Sequence, residues 1–401
     1  MLYGGGFGDK PSSGAFCLNG VVFADRQTNA KYEEVKHVYS PVQIRQKGGE
    51  IWIYNHSSHL PLNAYQATYA IQEDGVSKKV KDLTLPNVAP GDSVLLARIT
   101  DYAYSKKNDV RILYSITRQG QQIYTQQIAL SPALLEAAER WQKIIAKSAK
   151  QMGTRGRNTS LENLDQLVAQ VRLDAFRART DNDKGFGNWL DKDWKANRLD
   201  SPQVVRLSDT QTEYRYVAGS ILVTTDQHKN TDGSIDITQT YECRGTLPEL
   251  PRLGMVITLP KVYEQLQWYG LGPWDTYPDR LQSATIGLWK STVTKQYTHY
   301  PRPQDNGNHE QCSLVVLQTK SGKTIRVEAL DAPFSFEALH YSPTDMLQAK
   351  FDYQLQESDA TYLHIDCAVL GLGNSSCGPG VLKKYAIDKT KKHTLRIRIS
   401  Q

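Results

Sequence analysis

Zinc-type ligand spacing, long apolar runs and low-complexity tracts are all missing from this 401-residue sequence, and each absence removes a class of function. The five cysteines, Cys17, Cys243, Cys312, Cys367 and Cys377, are few, widely spaced and odd in number, with no CxxC pair or Cys/His cluster. Disulfide frameworks belong mainly to small secreted domains, so these residues read as reduced, mostly buried thiols. No apolar run approaches the roughly 18–20 residues that span a bilayer, which argues against a membrane partner. The N-terminus, Met1-Leu2-Tyr3-Gly4-Gly5-Gly6, has neither a basic n-region nor an apolar h-region and does not read as a signal peptide. Also missing is a basic stripe interleaved with stacking aromatics, the mark of a nucleic-acid groove. The formal charge of +6 is modest, and its densest run, Lys389, Lys391, Lys392 and His393, reads as a solvated face.

What is present is a globular balance, 39% hydrophobic and 22% charged, on a chain long enough for two or three domains. Most of it reads as strands. Val110, Ile112, Tyr114 and Ile116 alternate with Arg111, Leu113, Ser115 and Thr117, and Leu395, Ile397 and Ile399 alternate with Arg396 and Arg398. Asp232-Gly233 and Ser321-Gly322 each separate two such runs and predict hairpins. Strand patterns fill about 38–130 and 200–401, so the fold class is all-β, packed sandwiches. One segment differs. Ser131 suits an N-cap and Pro132 a first helical position. Leu134, Ala138, Trp141, Ile145, Ala149 and Met152 then form one apolar stripe, which predicts an amphipathic helix over 132–151. The basic loop Gly153-Thr154-Arg155-Gly156-Arg157 behind it is the expected domain boundary.

Five ordered segments carry a resemblance. Tyr3–Asp9 with Phe16–Arg26 looks like the end of the catalytic barrel of glycoside hydrolase family 2 β-galactosidases, and Glu33, Val35 and Lys36 resemble its E-x-K exit. Phe176–Trp189 resembles the family's R-A-P-T-D-N-D segment. Trp268–Pro273 with Tyr277–Arg280 is similar to G-x-G-P…Y-x-D-R, and Pro303–Asn308 to P-Q-x-x-G-N. The resemblance implies residues 1–26 as the remnant of a (β/α)8 barrel, 27–130 as an immunoglobulin-like sandwich, 131–158 as a helical linker, and 159–401 as a galactose-mutarotase-like super-sandwich. The helix over 132–151 stands where the family has the opening strands of its last domain.

Retaining glycosidases need two carboxylates about 5–5.5 Å apart. In the family resembled, both lie upstream of the Gly4-Gly5-Gly6 segment, on a barrel of roughly 250 residues, so no catalytic residue is nominated here. The 42 acidic residues fall mostly in turns and strand edges where exposure is expected, and Asp181 and Asp183 suit local backbone hydrogen bonding. What carries over by resemblance is part of the pocket wall. Phe16, through its carbonyl, and Asn19 would hold a monovalent cation, sodium or potassium, whose oxygen donors suit a hard ion. Asn19 would also face the sugar. A core aromatic is the plainer role for Phe16. A divalent cation is left to the full-length enzyme, because Ser12 stands where some members have a magnesium-binding Asn. The loop that reaches over the family's pocket reads Gly371–Pro379 here, with Cys377 in place of a stacking Trp. An inert buried thiol is an equal reading of Cys377.

Three functions compete. The first is the C-terminal region of a β-galactosidase, acting on terminal β-D-galactose in galactosides such as lactose. It would be inert alone and would need an N-terminal catalytic part as partner, with a homo-oligomer also open. The second is a non-catalytic galactoside-binding module, with Trp189, Trp194, Trp268 and Trp274 stacking on sugars, although such residues more often fill cores. The third, a mutarotase-like enzyme, needs an acid and a base in one cleft, and no matching His and Glu motif stands out. His364, between Leu363 and Ile365, reads as a surface residue, and His299 and His309 flank the Pro301–Asn308 loop without an assigned role.

Overall fold

The computed structural model describes residues 2–14, 20–151, 164–185, 190–373 and 380–401, with backbone alone for 143–151. Every strand pairing among them is antiparallel, and the strands build two sandwiches with separate cores. In the smaller, Val42–Lys47, Glu50–Asn55 and Ser93–Arg98 form a three-stranded sheet. Gln66–Glu73, Val110–Arg118 and Gln121–Ser131 form the centre of the facing sheet. The alternation read at 110–117 is realised: Val110, Ile112, Tyr114 and Ile116 are buried against Ile44, Ile51 and Ile53 of the opposite layer. This is an immunoglobulin-like sandwich with an apolar interior.

The larger unit stacks a nine-stranded sheet on a five-stranded one. Both predicted hairpins sit in the nine-stranded sheet. Gly219–Lys229 pairs with Ile235–Gly245 across Gly233, and Leu314–Gln318 pairs with Thr324–Ala329 across Gly322. Both glycines have positive φ, 86° and 87°, which the tight turns require. His393–Ser400 joins the halves, pairing on one side with Ile235–Gly245 and on the other with Thr324–Ala329. The five-stranded sheet runs His309–Cys312, Phe334–Leu339, Ala360–Val369, Arg252–Pro260, Arg172–Asp174. One face of it sends Met255, Ile257, Phe334, Phe336, Leu363 and Ile365 into the shared core.

The helix expected over 132–151 is present as Leu134–Gln151, two residues late. Ser131 is not its cap but the last residue of a strand, its hydroxyl bonded to the Lys106 carbonyl. The N-terminal acceptor comes from a distant residue instead: Asp109, fully buried, accepts from the Ala133 amide at 3.1 Å. Ala137 and Ala138 seat the helix on Tyr269, Leu314 and Val316 of the nine-stranded sheet. The same Asp109 accepts from Tyr269 Oη at 2.6 Å, and Arg140 pairs with Asp74. Helix and small sandwich are thus locked to the large unit. A second bridge is the helix Ala30–Val38, whose Glu34 accepts the Gln282 and Ser283 amides while His37 stacks on Tyr124. Met152 and the Gly153–Arg157 loop lie outside the described residues. Cys243, Cys312 and Cys367 are free, but only Cys312 is buried, so the expectation of mostly buried thiols holds for one of these three.

Candidate functional site

The second face of the five-stranded sheet is polar and closed off from water. Side chains alternate along a strand, so the residues between the core positions, Arg252, Glu337, His364 and Asp366, point together to the other side. Asp174 joins them from Arg172–Asp174, and Asp305 from the loop above. All six are buried, Arg252, Glu337 and Asp366 completely. Arg252 Nη2 donates to Glu337 Oε2 at 2.7 Å and Nη1 to Asp174 Oδ2 at 3.5 Å. Asp305 Oδ1 lies 3.5 Å from Nη2, and Asp366 Oδ2 3.7 Å from Nε. His364 Nδ1 meets Asp174 Oδ2 at 2.5 Å. Gly254 lets the strands come this close, because a Cβ there would run into Asp366 and the Ile365 carbonyl.

A second tier fixes the chain segments above this layer. Arg177, fully buried, forms a two-point pair with Asp183 and donates to the carbonyls of Leu370 and Gly371 at 3.0 and 3.2 Å. Asp183 also accepts from Thr180 N at 2.9 Å while Thr180 Oγ1 accepts from Asp183 N, a capping box on the helix Asp181–Lys184. Asn182 donates to the Leu372 carbonyl. Asp279 accepts the amides of Leu372 and Gly373 at 2.9 and 2.8 Å. A Cβ on Gly371 would sit 2.6 Å from that carboxylate, so glycine is needed there. Tyr277 donates to Asp305, and Gln304 accepts the Asp181 amide. Four segments distant in sequence, 174–183, 277–280, 304–308 and 370–373, therefore converge on one framework.

The charges do not balance with all groups ionised. Four carboxylates, Asp174, Asp305, Glu337 and Asp366, face two cations, Arg252 and a protonated His364, leaving two charges for protons to neutralise. Burial pushes the Asp305 carboxyl up to about 7, with repulsion from Glu337 adding to it. Burial and then the neighbouring Asp174 raise Asp366 well above the carboxylate range. Burial also opposes charge on Asp174, but His364 and Arg252 outweigh it and hold Asp174 below its usual value. The same contact raises His364 against the burial that would lower it. Protonated Asp366 and Asp305 beside a charged Asp174–His364 pair satisfy the count. Closed to solvent, these groups position chain segments rather than meet a substrate.

Several sequence expectations need correction. His364 is not at the surface; its alternation with apolar neighbours marks a polar layer covered by protein. The expectation that acidic residues lie exposed fails for Asp109, Asp174, Asp183, Asp305, Glu337 and Asp366. Trp194 and Trp268 are 1% exposed and cannot stack on a sugar; each indole N–H is bonded, to the Glu249 and Leu271 carbonyls. Trp274 is part-buried on Ser283. Asp183 does bond backbone as expected and also holds Arg177. His309 is buried, and burial lowers it to about 4; it bonds Gln296, while His299 pairs with Asp352. Phe16 and Asn19, the cation and sugar candidates, lie outside the described residues, as do Cys377 and Trp189. Among the described residues no group of three or more His, Cys, Asp or Glu is arranged to hold a metal ion.

Three of the four converging segments, 174–183, 277–280 and 304–308, overlap those that carried the resemblance, and comparison with known proteins agrees. The family model described as "Beta galactosidase small chain" matches residues 148–399. The chain belongs to that family. A second model, "Glycosyl hydrolases family 2, TIM barrel domain", matches residues 1–44 of this family member. Curated relatives include a β-galactosidase of Streptococcus thermophilus, 26% identical over 432 residues, which covers all of this chain and 42% of the relative. Another, from Staphylococcus xylosus, is 27% identical and covers 96% of this chain and 42% of the relative. The small-chain family member thus spans about two-fifths of the length of the curated β-galactosidases it matches. Among solved structures, a GalM/aldose epimerase homologue from C. elegans covers 50% of this chain and 67% of its own at 8% identity and TM-score 0.26. The exo-chitosanase CsxA of Amycolatopsis orientalis covers 77% and 29% at 10% identity and TM-score 0.22. No described helix is long and apolar enough to cross a membrane.

Proposed function

We propose that this chain forms the C-terminal part of a family 2 β-galactosidase that hydrolyses terminal β-D-galactose from galactosides such as lactose, and that alone it turns over nothing. The observation that carries this reading is the extent of the barrel match: 44 residues, against the roughly 250 a (β/α)8 barrel takes. The catalytic carboxylates of a retaining mechanism would come from an N-terminal part. The surface of the barrel-like segment supports this. Phe7 is 88% exposed, and Val21, Val22 and Val35 are exposed in the same segment. Apolar groups clustered in one stretch suit a face covered by more protein.

In this reading the Arg177–Asp183 and Asp279 anchors hold residues 370–373, from which the family's pocket-covering loop departs, and Phe16 and Asn19 supply oxygen donors to a sodium or potassium ion. The test is nitrophenyl galactoside hydrolysis by the purified chain, alone and after mixing with an N-terminal catalytic part. Turnover only in the mixture, dependent on the monovalent cation, is expected. Turnover by the chain alone would refute the proposal. The galactoside-binding alternative loses ground, because two of its four tryptophans are sealed in the core.

A further inference from the structure

Away from the polar layer, a cavity among the described residues opens on the small sandwich. It has a volume of about 520 Å³ and lies where the helix Ala30–Val38 hands over to the first strand of that sandwich. Tyr39, Arg45, His56, His59, Tyr65 and Arg118 line it, and no carboxylate does. In a chain with 42 acidic residues against 48 lysines and arginines, a cavity with two arginines and no acid is a local excess of positive charge.

The cations are also held in place. The Arg45 guanidinium lies 5.3 Å from the Tyr54 ring centroid, and His56 stacks on the same ring with planes 6° apart. Arg118 lies 6.0 Å from the centroid of Tyr65, itself buried. Arg45 donates one bond, to Gln43 Oε1 in the next-but-one position of its strand. Among the described residues neither arginine has a carboxylate partner. A guanidinium laid against an aromatic face keeps its N–H edge available for the two-point bonds that carboxylates and phosphates accept. Tyr39, 82% exposed at the rim, offers a flat ring of the kind that packs against a sugar. The volume matches that of small-ligand sites, which run from about 300 to 1,000 Å³.

We propose that this cavity binds a small saccharide carrying an oxyanion, a sugar phosphate or a uronic acid, with Arg45 and Arg118 on the anion and Tyr39 against the ring. It is a site apart from galactoside hydrolysis and stands whether or not that reading holds. Calorimetric titration of the purified chain tests it, with galactose 6-phosphate, galacturonate, galactose and inorganic phosphate as probes. Saturable binding of one of the two charged sugars is expected, absent with galactose and at least about tenfold weaker in the Arg45→Ala/Arg118→Ala double variant, as loss of charge-assisted bonds requires. Arg206→Ala, at an exposed pair elsewhere, should leave binding unchanged. Circular dichroism checks that the double variant is folded, and the single variants Arg45→Gln and Arg118→Gln replace it if it is not. No binding of either charged sugar up to about 10 millimolar, on the order of −2.7 kcal/mol, would overturn the proposal. So would binding undiminished in the variants. Inorganic phosphate bound as tightly as its sugar ester would overturn the saccharide assignment.

Discussion

The two sandwiches solve the same problem, closing β-sheets over a core, with opposite chemistry. The small one is filled by Ile44, Ile51, Ile53, Ile112 and Ile116, and the arginines and histidines of its cavity, Arg45, Arg118, His56 and His59, stay outside. The large one has an apolar core too, but on the far side of its five-stranded sheet it encloses a layer of carboxylates around Arg252. Apolar packing tolerates many substitutions of similar volume, whereas a buried ionic layer tolerates few, because each member's charge is matched to the others. The costlier design therefore sits where segments 174–183, 277–280, 304–308 and 370–373 must be held in register.

That contrast can be broken by substitution. Arg252→Met should have the largest effect, about 3–5 kcal/mol of destabilisation, because it strands several buried carboxylates without a cation. Urea unfolding followed by tryptophan fluorescence would measure it. Asp279→Asn should cost less, about 1.5–3 kcal/mol, since one of two charge-assisted acceptors is lost to residues 372 and 373. Its specific signature is faster amide exchange at Leu372 and Gly373 than elsewhere in the unit. In the small sandwich Ile112→Val should cost about 1 kcal/mol. An Ile112→Val loss equal to that of Arg252→Met would erase the distinction between the two units.

Acidity sharpens the same comparison. Asp305 titrates near 7 in the fold and near the ordinary carboxylate value when unfolded. Between roughly pH 4 and 7 the folded chain therefore binds the extra proton, and this group's contribution to stability falls as pH rises through that window. Asp305→Asn should flatten that part of the stability profile, which urea unfolding at steps between pH 4 and 7 would measure. The smallest effect belongs to Arg206→Ala, whose pair with Asp209 is exposed; a change of about 0–1 kcal/mol is expected.

Strand alternation, both hairpins and the helix at 134–151 were legible because each is set by local spacing. The helix cap was not, because Asp109 reaches the Ala133 amide from another strand. The polar layer escaped for a related reason. His364 and Asp366 alternate with Leu363 and Ile365 just as a water-facing strand would, and period two cannot tell water from a covering segment. The cover comes from residues 174–183 and 304–308, over fifty positions away. A usable signal did exist: those covering stretches are the acidic and Asn-rich motifs, too dense in specific polar residues for simple loops. The trace of the candidate pocket through Phe16, Asn19 and Cys377 rested on resemblance, and those positions lie outside the described residues.

The most direct test of the functional account is the rate of nitrophenyl galactoside hydrolysis at fixed chain concentration while an N-terminal catalytic part is titrated in. The account predicts a zero intercept and saturation as the two parts combine. A rate at the intercept that persists in the purified chain would contradict it.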